Sequence, residues 1–232
     1  MSEPPLWRRT RDAIIARIVA GEFGAGSMLP SEPELGAQLG VSQGTARKAL
    51  SELERAGVVE RRQGRGTFVP VTTPERALFH FFRLRRPDGA AVAPELVEES
   101  LRRRAPKARE RAVFGEGPVF EVTRLRSVDG RPAARERIVV PAARFAGLGE
   151  RGRLPNTLYA FYQSAYGIAV ARAEEALFPV LAGTLDAGPL GVREGAPLLE
   201  VERRAFDIED RVVELRVSRY AMDGLRYTVT LR

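Results

Sequence analysis

The 232-residue chain contains no cysteine and a single histidine, His80. Disulfide frameworks, thiolate zinc sites and cysteine nucleophiles are thereby excluded, and histidine-dependent catalysis nearly so. Lysine is almost as scarce: Lys48 and Lys107 are the only two, so nearly all the positive charge is arginine. The opening residues lack the apolar core of a signal peptide, and no stretch reaches the ~18 apolar residues of a membrane span. That pattern predicts a cytoplasmic protein. No internal repeat, low-complexity tract, cofactor loop or metal-ligand set is visible, so neither a cofactor nor a metal is expected.

What is present is an ordinary globular composition, 44% apolar and 29% charged, with a formal charge of +7 and a sequence pI of about 10.4. The length favours two domains over one. The charge permits binding to a polyanion through counterion release. Arginine suits planar, bidentate recognition of guanine or phosphate, although so broad a bias also reads as the imprint of a GC-rich genome.

The N-terminal third is punctuated as short capped helices. Leu6, Ala13, Ile14, Ile18 and Val19 fall on one face of a helix that Gly21 stops. After a loop from Glu22 to Pro30, Ser31 and Glu34 have the spacing of a capping box and start a second helix, which ends near Leu39. Gly40 breaks it, and Ser42 caps a third helix that runs to Gly57. Two capped helices about a short turn predict a helix-turn-helix, with Val41 buried between them. Val58–Arg62 and Thr67–Val69 then flank the glycine-rich tip Gln63–Gly66 as a β-hairpin, the wing of a winged helix. Pro70 to Pro74 reads as linker.

Beyond the linker the pattern is strand-like, beginning with the apolar run Phe79–Leu84. Val119–Ser127 and Arg135–Val140 flank the hairpin signal Asp129–Gly130. Further strands are predicted at about Val170–Val180, Pro197–Phe206 and Val212–Ala221, with Arg226–Leu231 closing the sheet. Helices are predicted near Pro106–Val113, Thr157–Ala165 and Gly183–Leu190. The second half is thus an α+β domain on an antiparallel sheet. Expected boundaries are a DNA-binding domain at 1–70, a linker at 71–77 and a second domain at 78–232.

Four linked motifs, Leu29–Glu32, Leu39–Ser42, Thr45–Leu50 and Arg61–Val69, resemble the GntR-family DNA-binding domain. Thr123–Arg126 with Asp129–Pro132, Leu158–Tyr159, Tyr166–Gly167, Glu214 and Tyr220 resemble the UTRA effector domain of the HutC subfamily, whose fold is like chorismate lyase. The resemblance implies a homodimeric transcription regulator, most simply a repressor. Its partners would be double-stranded operator DNA and a small anionic effector, a phosphosugar or carboxylate. The alternative is a chorismate-lyase-like enzyme with an appended DNA-binding module, using Arg124 and Arg126 for a carboxylate substrate and Glu136 as base.

A recognition helix enters the major groove by its N-terminal end, which puts Gln43, Gly44, Thr45 and Arg47 nearest the bases and phosphates. Ser31 and Glu32 begin a helix whose amides suit a phosphate, and Glu32 is expected to position Arg47. In the wing, Gly64 and Gly66 permit the tight backbone that lays Arg65 along the duplex, while Arg61 and Arg62 point to opposite faces. Gln43 departs from the family, where arginine commonly stands; glutamine reads adenine rather than guanine. In the second domain Arg124 and Arg126 share one face of a strand and form an anion clamp. The resemblance adds Glu136, Asn156, Thr157, Glu175, Glu214 and Tyr220 as the rest of a polar pocket. Against it stands mutual pairing of these charges across neighbouring strands. Leu125, Val128, Ile138, Val140, Leu199, Val201, Val213, Leu215 and Val217 are read as core, Tyr159, Phe161, Tyr162 and Tyr166 as packing, and His80 is given no function.

Overall fold

The computed structural model describes residues 4–71 and 83–229. His80, most of the expected linker and residues 79–82 of the Phe79–Leu84 run lie outside the described residues. The chain divides into two compact units, the first made of residues 1–72 and 208–210 and the second of residues 73–207 and 211–232.

In the first unit, α1 (Leu6–Val19), α2 (Glu32–Leu39) and α3 (Gln43–Arg55) precede a hairpin of β1 (Glu60–Arg62) and β2 (Gly66–Phe68). Helix α3 buries Ala46, Ala49, Leu50 and Leu53, the i, i+3, i+4, i+7 stripe of an amphipathic helix. Ser42 caps it by accepting from the Thr45 amide at 3.2 Å. At α2 the Glu34 carboxylate reaches back to the Ser31 amide at 2.8 Å and to its hydroxyl at 2.6 Å. Gly40 ends α2 with φ 65°, the left-handed stop read from the sequence. Val41 is only half-buried; its carbonyl, not its side chain, makes the close approach. A Cβ on Gly36 would lie 2.8 Å from that carbonyl oxygen, so a residue without a side chain sets how closely the turn folds back on α2. The segment before α2 pairs with the wing, through Leu29 N to Thr67 O at 2.8 Å and Val69 N to Ser27 O at 3.0 Å. The hairpin is therefore anchored along one side.

The second unit is built on a six-stranded antiparallel sheet of β4 (Glu95–Arg104), β5 (Val119–Val128), β6 (Arg131–Pro141), β7 (Val170–Leu181), β8 (Pro197–Asp207) and β9 (Val212–Tyr220). Their spatial order is β4-β5-β6-β9-β8-β7. Asp129 and Gly130, with φ of 53° and 76°, make the tight turn between β5 and β6. Helices α4 (Ala108–Phe114), α5 (Leu158–Tyr166) and α6 (Thr184–Leu190) lie close to their predicted places. One face of the sheet packs Phe120, Val122, Ile138 and Val140 against Leu158, Tyr159, Phe161 and Tyr162 of α5 and against Phe145, Leu148 and Leu154.

Two further expectations are corrected, and one strand has no counterpart in the sequence reading. The terminal strand does not close the main sheet: β10 (Arg226–Tyr227) pairs with β3 (Leu84–Arg85) in a ribbon of its own. Gly224, with φ 66°, turns the chain away beforehand. Leu125, Leu215 and Val217 are half-buried and point to the opposite face from the main core, because they alternate with Arg124, Glu214 and Arg216. The edge strand β4 carries no sequence signal: its run Glu-Leu-Val-Glu-Glu-Ser-Leu-Arg-Arg-Arg is mostly charged. A register shift between Leu96 and Glu98 also breaks its alternation. An edge position tolerates both, since one rim of the strand remains in water.

Candidate functional site

In the first unit the structure brings two of the residues expected to meet DNA, Arg47 and Arg61, onto one carboxylate. Arg47 Nε on α3 donates to Glu32 Oε2 at 2.8 Å, and Arg61 Nη2 on the wing donates to Glu32 Oε1 at 3.2 Å. Glu32 is thus the hub that fixes the recognition helix and the hairpin to the start of α2. The hub leaves Arg47 with 60% of its side chain exposed, while Arg61 is drawn further in by Ser51 and by Glu54 at 3.6 Å. Arg62 points the other way, pairing with Glu60 and stacking over the Phe68 ring at 4.5 Å. Of the two wing arginines, Arg62 packs the hairpin and Arg61 belongs to the Glu32 hub.

Gln43 and Gly44 are exposed at the first turn of α3. The Thr45 hydroxyl lies 2.9 Å from that of Ser42, so its orientation is set by the cap. Arg65 stands at the hairpin tip, its amide donating to Arg62 O at 2.9 Å, and its guanidinium has no partner among the described residues. Gly64 has φ 69° and Gly66 φ 110°; a Cβ at Gly66 would also come within 3.1 Å of the Met28 sulfur. The tip is glycine because of its backbone and of what it packs on. Arg65, Thr67, Ser31, Glu32 and Pro33 border one groove of about 730 Å³.

In the second unit the expected effector residues meet on the α5 side of the sheet, joined to several that the sequence did not single out. Arg124, fully buried, donates from Nε to Glu99 at 2.7 Å, from Nη1 to the Asn156 carbonyl at 3.2 Å and from Nη2 to the Pro155 carbonyl at 2.9 Å. Arg126 bonds Glu136 at 2.6 Å, the Asn156 side chain at 2.5 Å and the Asn156 carbonyl at 3.0 Å. The two arginines do share a face, but they are engaged: they hold the segment that leads through Thr157, the N-cap residue, into α5.

The charges continue across the sheet. Glu136 also faces Arg216 at 3.3 Å, and Arg216 Nε donates to Glu214 at 2.9 Å. Glu214 accepts the hydroxyls of Tyr159 and Tyr162, both at 2.9 Å. Arg203 donates to the Tyr159 oxygen at 3.4 Å and to Glu175 at 2.6 Å, and the Tyr227 hydroxyl closes the chain on Glu175 at 2.5 Å. Tyr220 is buried with its ring 6.3 Å from that of Tyr227. The mutual pairing weighed against a pocket is therefore real, yet it takes the form of a continuous buried network that ends on the anion-clamp arginines.

Electrostatics follow from that burial. Desolvation would push the Glu136 carboxyl up, but Arg126 and Arg216 outweigh it and hold it at about 2. Burial raises the Tyr159 hydroxyl to about 12, with the Glu214 charge adding to it, and raises Tyr162 for the same two reasons. Both hydroxyls are therefore fixed donors at neutral pH. Burial and the neighbouring Arg126 charge pull Arg124 below its ordinary value, which makes an opposing carboxylate necessary beside it.

Glu99, Arg203 and Arg216 were not singled out in the sequence, and Tyr159 and Tyr162 were read as packing only. Glu99 had no signal because its strand had none. For the tyrosines, the signal was the i, i+3 spacing beside Glu214, which puts two hydroxyls over one carboxylate. Among the described residues no group of histidine, cysteine and carboxylate side chains could hold a metal ion. No helix there is long and apolar enough to cross a membrane. The opposite face of the sheet has a separate cavity of about 590 Å³ under α4, floored by Val139, Leu215 and Val217.

Comparison with known proteins agrees with both halves. Residues 6–69 match the bacterial regulatory proteins of the gntR family, and residues 96–226 match the UTRA domain. The chain is 30% identical to the HTH-type transcriptional repressor NagR of Bacillus subtilis (strain 168) over 230 residues, 97% of this chain and 93% of that one. It is 28% identical to the probable fructoselysine utilization operon transcriptional repressor of Escherichia coli (strain K12), over 97% of this chain and 93% of that one. Among solved structures, PhnF from Mycobacterium smegmatis superposes with a TM-score of 0.56 at 28% identity, covering 96% of this chain and 99% of that one.

Proposed function

The chain belongs to the GntR family of bacterial regulators and carries a UTRA domain, and on that premise we propose which of its residues grip DNA and which answer to the effector. It is a sequence-specific DNA-binding transcription repressor controlled by a small metabolite, not an enzyme. We assign residues 1–70 to operator binding, 71–77 to a linker and 78–232 to effector binding and dimerisation. A homodimer would read two half-sites about 10–10.5 base pairs apart, or a multiple of that.

The single observation that carries the DNA assignment is the Glu32 hub, which holds Arg47 of the recognition helix and Arg61 of the wing on one carboxylate. A guanidinium held by one edge keeps its remaining N–H groups aimed outward, as bidentate reading of guanine O6 and N7 requires. Gln43, Gly44 and Thr45 complete the major-groove set. Ser31, Arg61, Arg62, Gly64, Arg65 and Gly66 form the backbone-facing set, with Arg62 and the glycines shaping the wing that delivers Arg65.

In the effector domain we assign Arg124, Arg126, Asn156 and Thr157 to the anionic part of a small metabolite, and Glu136, Glu175, Glu214 and Tyr220 to its hydroxyl-rich part. Donors and acceptors alternating along a buried network suit a polyhydroxylated compound. A phosphosugar or sugar acid combines both needs, in keeping with the fructoselysine operon named for one relative.

Fluorescence anisotropy with a duplex from the protein's own promoter tests the DNA assignment. Arg47→Ala is expected to weaken binding by ~1–3 kcal/mol, roughly 5- to 150-fold, and to relax preference at one base pair. Equal affinity of Arg47→Ala and wild type for that duplex would remove Arg47 from the interface.

A further inference from the structure

The arginine pair assigned to the effector anion has no net charge to spare. Arg124, Arg126 and Arg216 face Glu99, Glu136 and Glu214, one carboxylate for each guanidinium. An anion that enters without displacing one of these carboxylates adds unpaired negative charge to a buried site, which is strongly unfavourable.

The three carboxylates are not equally free to leave. Glu136 is 1% exposed and lies between Arg126 and Arg216. Glu214, 0% exposed, holds Arg216 and two tyrosine hydroxyls. Among the described residues Glu99 holds only Arg124 and the Leu154 amide, the latter at 2.8 Å. It stands on the edge strand β4, beside the register shift between Leu96 and Glu98 where the backbone can give. It also borders a cavity of about 410 Å³ whose other walls include Leu101, Arg151 and Arg153. A carboxylate that swings off Arg124 finds space there, and cations.

We propose that Glu99 is the specificity-determining residue of the effector site: a resident carboxylate on Arg124 that an anionic effector replaces, Glu99 moving outward to the Arg151–Arg153 cavity. This rests on the assignment of Arg124 and Arg126 to effector binding, and it adds the exchange by which an anion gains entry. Because Glu99 also accepts from Leu154, its departure releases the start of the segment leading to Asn156 and α5. The effector's charge, rather than its bulk, is then what loosens that segment.

Titration calorimetry of the full-length protein with inorganic phosphate tests the exchange. Glu99→Gln keeps an acceptor for the Leu154 amide but gives up the charge, and is expected to bind phosphate at least tenfold tighter than wild type. Glu99→Asp keeps the charge on a shorter arm and should fall between them. A merely structural role for Glu99 predicts weaker binding in both variants, so a gain in affinity is diagnostic. Arg124→Ala in either background should abolish binding. If Arg124→Ala abolishes binding but neither Glu99 variant exceeds wild type, Glu99 is not the competitor and the assignment of Arg124 survives. If phosphate binds neither wild type nor the Glu99 variants, or binds despite Arg124→Ala, both ideas fall. Should Glu99→Gln lose the near-ultraviolet tyrosine signal of the folded domain, the Asp variant decides alone, and affinity no higher than wild type overturns the proposal.

Discussion

Glu110 shows how much a single side chain contributes here. Its carboxylate accepts two bonds from Arg104, at 2.6 and 2.8 Å, one from the Lys107 amide at 2.8 Å and one from Arg137 at 3.3 Å. The Arg104 bonds, more than any other cause, hold its pKa at about 2, against an ordinary value of 4.5. Because the folded value is the lower one, the stabilisation is fully present above about pH 4.5 and is lost as pH falls from there toward 2. Solvent screening around Arg104 and Arg137 keeps the contribution at neutral pH below the ~3 kcal/mol that a shift of that size would carry in full. Glu136 carries the same sign over the same window. Urea unfolding followed through the tyrosines at pH 6, 4 and 3 should show a steep loss of stability below pH 4.5. Glu110→Gln should start lower at pH 6 and fall less steeply. Parallel curves for the two proteins would mean that Glu110 is not bound as described.

At the scale of elements, Gly36 governs the angle of the helix-turn-helix. A methyl group at that position would press on the Val41 carbonyl, and neither α2 nor the capped start of α3 is free to retreat. Gly36→Ala is therefore expected to destabilise the first unit by ~1–3 kcal/mol, as overpacking does. Ser42→Ala should cost ~1 kcal/mol through the lost cap. The chain supplies separate reporters for this: its one tryptophan, Trp7, lies in α1, whereas all five tyrosines lie at Tyr159 or beyond. Both variants should shift the tryptophan transition and leave the tyrosine transition in place; movement of both together would contradict the assignment of these effects to one unit. The same elements explain what could be read from sequence. The three helices and the wing announce themselves through Gly40, Ser42 and Gly64, because caps and tight turns need particular residues. The β5–β6 hairpin does so through Asp129–Gly130. Strand β4 could not be read, since an edge strand with a register shift needs neither alternation nor apolar residues. Glu99 was hidden with it. The shared face of Arg124 and Arg126 followed from spacing alone, whereas their partners Pro155 and Asn156, some thirty residues further along the chain, depend on how a loop returns to the sheet. Gly36 looks like any helix glycine until the Val41 carbonyl is placed beside it.

For the whole molecule, the question is whether the effector frees the operator through a change of state or by competing for the same surface. The assigned sites share no residue, since the DNA set ends at Gly66 and the effector set begins at Arg124. A ligand at a separate site shifts an equilibrium only by its differential affinity for the two states, and such couplings amount to ~1–3 kcal/mol, or 5- to 150-fold. The apparent operator Kd, measured at rising concentrations of a metabolite found by thermal-shift screening of phosphorylated and carboxylated compounds, should therefore climb and then level off within that range. Direct competition at Arg47 or Arg65 would instead raise it in proportion to the metabolite without a plateau. Arg124→Ala should remove the response altogether. It should leave the metabolite-free operator Kd unchanged, along with its salt dependence of ~0.9 logarithmic unit per phosphate contacted, because Arg124 is fully buried and touches no solvent that a duplex could occupy. A variant that lost operator binding and its salt slope together would instead make Arg124 a residue on which the DNA-binding fold depends.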